Sequence, residues 1–147
     1  MKMTLLTDQA KRNSNNEYYN KNKKSIQAQR RAQRNSSVKA RMVVLTGNSK
    51  TRAKKNGWEH DITSTFLCSL WEGQEGICAL TGDTLSLITT EGKRDKSGIV
   101  SLDRIDSERG YVEDNVCLVT AQSNFSKGSN SYEDYVELCK KIVENSL

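Results

Sequence analysis

The chain has 147 residues, 23 Lys and Arg against 18 Asp and Glu, one His, four Cys and no Pro, which fits one domain with an appendage. No run of 18 apolar residues occurs and the N-terminus carries no apolar core of signal-peptide length, so neither a membrane span nor export is expected. Charge is unevenly placed: residues 1–57 hold 15 Lys and Arg against two acids, net +13, whereas residues 58–147 hold 8 against 16, net −8. A basic arm ahead of an acidic body predicts a polyanionic partner for the arm.

Residues 1–25 are rich in Asn and Lys and show no helical or strand periodicity, so the reading here is poor order. From Ser25 the pattern becomes IQAQRRAQRNSSVKARMVVL, and its Gln, Ala and Arg predict a basic helix near 25–34 with a break at Asn35-Ser36-Ser37. Arg30, Arg31, Arg34, Lys39 and Arg41 make this arm a candidate for phosphate contact. Gly47 and Asn48 punctuate the chain, and a short helix is expected at 49–56, ending at the Asn56-Gly57 cap. Arg52, Lys54 and Lys55 in that helix extend the cationic set. The boundary is therefore placed between a DNA-contacting arm, 1–48, and a folded domain, 49–147.

Thr63 or Ser64 is a cap for a helix running to about Trp71, with Phe66, Leu67 and Leu70 inward. GICALTGDTLSLI predicts a turn at Cys78–Gly82 and a strand at 85–88. The tract at 89–98 is a charged loop whose Lys93, Arg94 and Lys96 are candidates for touching phosphate. The four cysteines (68, 78, 117 and 139) form no Cys-x-x-Cys pair and sit mostly among apolar neighbours, which predicts reduced thiols in a cytoplasmic setting. The C-terminal tract from Ser131 has apolar residues at 132, 135, 136, 139, 142 and 143, the stripe of a packing helix capped by Ser131.

The densest set of positioned polar groups lies between Gly98 and Gly128. A β-rich run ends in Asp103, a polar loop carries Asp106, Gly110 and Asp114, a second run covers Val116–Val119, and a polar segment holds Asn124 and Lys127. Strand, loop, strand and helix is the economical reading. A carboxylate at the end of one strand and amides at the next two junctions suit a hard divalent cation.

This stretch resembles the core of the HNH endonucleases, the ββα-metal fold, in the phage-encoded branch with an S-L-D-R-I-D…G-Y…N-V…N…K signature. Asn115 and Asn124 fall 12 and 21 residues after Asp103, the spacings of that family pattern. The K-x-R-A-K-K-x-G…D-I-T run resembles the segment that leads into it, so the resemblance covers roughly residues 49–140. It implies an α+β protein with a ββα-metal core, a basic helical N-terminal arm and a C-terminal helix. It further implies Asp103 and Asn124 as ligands of Mg²⁺ or Mn²⁺, Asn115 as an orienting residue, and Lys127 beside the scissile phosphate. Where zinc-bearing members have a second Cys this chain has Thr81, so no structural zinc is expected.

The chain departs from the pattern right after Asp103, where the family's general base is replaced by Arg104. A guanidinium cannot lose its proton in a protein, so Arg104 is instead a candidate for holding the phosphate. Three sources of a base stay open: solvent or Asp106 acting on a metal-bound water, Tyr111 with the Arg104 cation beside it, or His60 folded back over the cleft. The function expected is a metal-dependent DNA endonuclease, and the resemblance to the phage-encoded branch implies a homing role, in host cytoplasm if phage-encoded. One site per chain nicks; a homodimer or a second event would break both strands. The alternative is a DNA-binding protein that kept the scaffold without turnover. Binding of RNA is a weaker reading, because no aromatic-rich sheet motif is present.

Overall fold

The structure of the chain, a computed structural model, describes residues 2–87 and 97–146, with side chains from residue 9 onward. Lys93, Arg94 and Lys96, and the end of the strand expected at 85–88, lie outside the described residues. No helix among the described residues is long and apolar enough to cross a membrane.

Two compact units are present, Met1–Arg34 and Asn35–Leu147. The first is a single helix, α1 (Lys2–Arg34), so the expectation of poor order over residues 1–25 is corrected. Periodicity detects an apolar stripe, and a solvated helix needs none. Gln, Ala, Lys and Arg favour helix, and no Gly or Pro interrupts the run. Side chains help locally: Gln9 donates to Asn13 and Asn22 to the Tyr18 carbonyl, each one turn apart.

The second unit begins at the predicted break. Ser37 caps α2 (Val38–Asn56), its Oγ accepting from Ala40 N. The helix continues through Gly47-Asn48 rather than starting at 49 as expected, and the chain divides into its two compact units at 34/35. Met42, Leu45, Ser49 and Ala53 recur at spacings of three and four and are all buried, and that stripe overrides the local cost of a mid-helix Gly. The stop is where the sequence puts it: Gly57 adopts φ 71°, and its N–H is directed to Ala53 O. Helix α3 (Ser64–Gly73) is capped by Thr63 Oγ1 accepting from Phe66 N, and Leu67 enters the core.

The only regular sheet among the described residues has two antiparallel strands, β1 (Val100–Arg104) and β2 (Val116–Thr120). Asp103 pairs with Cys117 and Arg104 with Val116. Of the strand expected at 85–88, Ser86 makes only an isolated bridge to Ile99, and Leu85 N donates to Gly76 O. The other edge of β2 is closed by a side chain: Gln74, just past α3, accepts from Leu118 N and donates to Leu118 O and Ile77 O. Edge groups that would otherwise be unpaired are satisfied this way. Thr120 then caps α4 (Ala121–Lys127), which turns back onto β1. Helices α2 and α3 cover the sheet, and the core joins Met42, Leu45, Leu67, Val100, Leu102, Leu118 and Val119.

Helix α5 (Tyr132–Ser146) starts as expected, with Ser131 Oγ accepting from Asp134 N. Its expected packing stripe is only partly covered: Tyr135, Val136 and Cys139 are half-buried beside Leu80, none of its residues is fully buried, and Ile142 and Val143 are more than half exposed.

Candidate active site

Helix α4 places two polar side chains on one face. Asn124 and Lys127 are three residues apart, so both point at β1. Asn124 Nδ2 donates to Ser101 Oγ (2.9 Å) and Leu102 O (3.0 Å), which leaves Oδ1 as its donor atom for a cation. Lys127 Nζ reaches Asp103 Oδ2 at 3.3 Å and donates to Arg104 O at 3.1 Å.

Asp103 and Asn124 line one cleft of about 200 Å³, together with Arg52, Asn56, Trp58, Leu102, Arg104, Ser107, Tyr111 and Gly128. The end of α2 supplies Arg52 and Asn56; the sheet and the loop after β1 supply most of the rest. Burial pushes the Asp103 carboxyl above the usual carboxylate range, opposed by the Lys127 ammonium. Across the ladder, burial and the Asp103 charge push the Cys117 thiol up to about 12.

The loop from Ile105 to Asn115 is held from inside by Asn115, which is 1% exposed. Its Oδ1 accepts from Asp106 N, and its Nδ2 donates to Asp106 O and Gly110 O. A second clasp is Arg104, whose Nη1 donates to Ser107 O (2.8 Å) and Arg109 O (2.7 Å). The loop is also paired to the segment before α3. Tyr111 N donates to Glu59 O, and Asp61 N donates to Tyr111 O. That approach needs Gly110, since a Cβ there would fall 2.2 Å from Glu59 O.

Of the residues singled out from sequence, the cleft brings together Asp103, Arg104, Tyr111, Asn124 and Arg52. Asn115 stands behind it as the loop's internal staple. Asp106 is exposed, is not a cleft residue, and turns Oδ1 to Glu108 N. His60 is not among the cleft-lining residues; its ring lies 6.1 Å from that of Tyr111, centroid to centroid. Its Nε2 is 2.9 Å from Ser49 Oγ. The single hydroxyl proton of Ser49 serves Thr46 O, so Nε2 is assigned as the donor and Nδ1 as the basic nitrogen.

Two of the cations singled out for phosphate contact are engaged within the fold. Lys127 is buried and spent on Asp103, and Arg41 is docked on the sheet, donating from Nη2 to Val100 O at 2.9 Å. Burial lowers the Arg41 pKa, and its Nε is buried without a partner. Lys39, Lys54 and Lys55 are exposed on α2, and Arg30, Arg31 and Arg34 are exposed on α1. Sequence reasoning passed over Trp58 and Asn56. The signal was available, because both flank the Gly57 cap that turns the chain end of α2 towards the loop.

No protein-family model and no curated protein matches this sequence. Among solved structures, the fold is similar to that of the rare-cutting HNH restriction endonuclease PacI, at 20% identity and a TM-score of 0.51, over 71% of this chain and 78% of that one. The likeness shows an HNH-type fold in an α+β chain with a small two-stranded sheet.

Proposed function

We propose that the protein is a divalent-metal-dependent DNA endonuclease that hydrolyses phosphodiester bonds at this cleft. The observation that carries the reading is that Asp103 and Asn124, set 21 residues apart, converge on one cleft that Arg52 and Arg104 also line. Hard oxygen donors beside paired cations suit a metal–phosphate site more than a pocket for a neutral ligand. The likeness to an HNH restriction endonuclease supports the same class.

The residues present fit a single hard cation. Asp103 would hold it by a carboxylate oxygen and Asn124 by Oδ1, and Mg²⁺ or Mn²⁺ there would stabilise the charge that develops on the phosphate. Arg52 and Arg104 hold the diester against the cleft wall. In hydrolysis an oxygen of water bonds to phosphorus, the bond to the leaving sugar oxygen breaks, and the water's proton must be taken up. Tyr111 is the one base candidate from the sequence that lines the cleft. His60 acts at most through the Tyr111 ring packed against it, and Asp106 serves the loop.

The basic α1 and the exposed Lys39, Lys54 and Lys55 supply sequence-independent attraction to the DNA backbone. Nicking by one chain, or a double-strand break by a homodimer, and a homing role in a phage's host cytoplasm belong to the same reading. The deciding experiment is incubation of supercoiled plasmid with Mg²⁺, Mn²⁺ or EDTA, beside Asp103→Ala. Metal-dependent nicking by the native chain and none by the variant establishes the nuclease. A shifted but uncut plasmid in every metal establishes the second reading, a DNA-binding module. That reading is favoured by one observation: the side chain after Asp103 is an arginine committed to loop carbonyls.

A further inference from the structure

Asp103 already has a resident cation. Lys127 is 1% exposed, its Nζ lies 3.3 Å from Asp103 Oδ2 and 3.5 Å from Oδ1, and it also donates to Arg104 O. The ammonium does not reach Asp103 through the cleft. Lys127 lines a separate, mostly apolar cavity of about 260 Å³ with Leu80, Ile105, Cys117 and Tyr132, and Asp103 lines both spaces. The carboxylate is thus a partition, with the cleft on one side and a buried ammonium on the other.

The charge balance follows. The one carboxylate of the lining, Asp103, is neutralised from behind, and the other oxygen-bearing side chains there, Asn56, Asn124, Ser107 and Tyr111, include no second carboxylate. Among the described residues, no group of three or more His, Cys, Asp or Glu gathers to hold a metal ion. Arg52 and Arg104 add positive charge to the same wall. A divalent cation entering the protein alone would shed water for a site without net negative charge, which is unfavourable. A phosphodiester entering with it supplies the missing negative charge.

Resting on the nuclease reading above, we propose that Lys127 is a positioning residue that keeps the cleft from retaining a divalent cation until a DNA phosphate is present, so that metal and backbone bind together. Lys127 fixes the Asp103 carboxylate and sets the charge the metal meets; it does not touch the phosphate.

The test is Mn²⁺ binding, followed by the paramagnetic signal of free Mn²⁺, for the native chain, Lys127→Met and Lys127→Arg. Each is measured alone and with a phosphorothioate DNA duplex, with Mn²⁺ uptake by duplex alone subtracted. The native chain should bind Mn²⁺ weakly alone and at least about tenfold more tightly with duplex, a factor that charge neutralisation readily supplies. Lys127→Met should bind Mn²⁺ at least about tenfold more tightly without DNA and gain less from it, while Lys127→Arg behaves as native. Native affinity that is equal with and without duplex overturns the proposal, even where Lys127→Met does not fold. Unchanged or weaker Mn²⁺ binding by a folded Lys127→Met does the same. Nicking of plasmid by the native chain alongside either result leaves the nuclease reading standing and removes only the role of Lys127. A native chain that neither binds nor nicks DNA removes both.

Discussion

Arg104 sits over Trp58, its guanidinium carbon 3.6 Å from the ring centroid, while Nη1 donates to the carbonyls of Ser107 and Arg109. The residue that stands where the resemblance places a base is therefore the clasp between the loop and the end of α2. Replacing it with Lys keeps the charge but loses the planar fork and the stacking face, so Arg104→Lys should cost about 1–3 kcal/mol in urea unfolding. Arg104→His should lose a similar amount of stability yet raise the rate of plasmid nicking by about 10²-fold or more, because an imidazole then stands beside Asp103. A variant that unfolds more easily and nicks no faster would show that the cleft lacks more than a base.

Gly110→Ala tests the other attachment of that loop. The new methyl would meet Glu59 O at 2.2 Å, and that atom belongs to the backbone, which cannot swing aside as a side-chain end can. The two hydrogen bonds between Tyr111 and the Glu59–Asp61 segment would have to part. A loss of about 3 kcal/mol is expected, at the upper end of overpacking costs, with faster amide exchange at Asp61 and Tyr111 as the local signature. Unchanged exchange at those two amides would mean that the strain is absorbed elsewhere.

The strands, α4 and the Asp103–Asn124 spacing were legible because each rests on local chemistry: β-branched runs, polar residues at strand ends and a polar segment after the second run. The same holds for Thr63 and Gly57, whose cap bonds form as the sequence predicts, while Ser37, read only as part of a break, caps α2. Other features depend on packing that no window contains. Gly47 reads as a stop, yet α2 passes through it because Met42, Leu45, Ser49 and Ala53 form one buried stripe. Arg41 and Lys127 read as surface cations, but Arg41 reaches Val100, 59 residues away, and Lys127 reaches Asp103 across α4 and β1. Trp58 and Arg104 are 46 residues apart, and only the fold stacks them. Helix α5 shows the reverse failure, since an apolar stripe states that a face can be buried and not what buries it.

Cys117 gives a pH dependence whose sign is fixed. Its thiol is raised from 9.0 in the unfolded chain to about 12 in the fold, by burial first and by the Asp103 charge second. Between those values the unfolded state has released a proton that the native state still holds, so stability falls as pH rises. The contribution is fully present below pH 9.0 and is lost progressively towards about 12. The unfolding free energy of the native chain should therefore decline more steeply above pH 9 than that of Cys117→Ala, whose other thiols are unchanged. Parallel curves for the two proteins would show that the native thiol ionises as freely as the unfolded one.

The contribution of α1 to DNA binding is best read from salt rather than from affinity at one condition. Arg30, Arg31 and Arg34 lie exposed near its C-terminal end, with no carboxylate in the adjoining turns to neutralise them. Each phosphate they neutralise releases counterions, worth about 0.9 in the slope of log K against log salt on duplex DNA. Replacing all three with Gln keeps helix propensity, so α1 should persist by circular dichroism while the slope shrinks by about 2–3. The cleft is in the other unit and keeps its own charges, so nicking at saturating DNA should change little. A slope unchanged by the triple substitution would move the phosphate-tracking surface to Lys39, Lys54 and Lys55 on α2, and α1 would then have to be explained by something other than DNA.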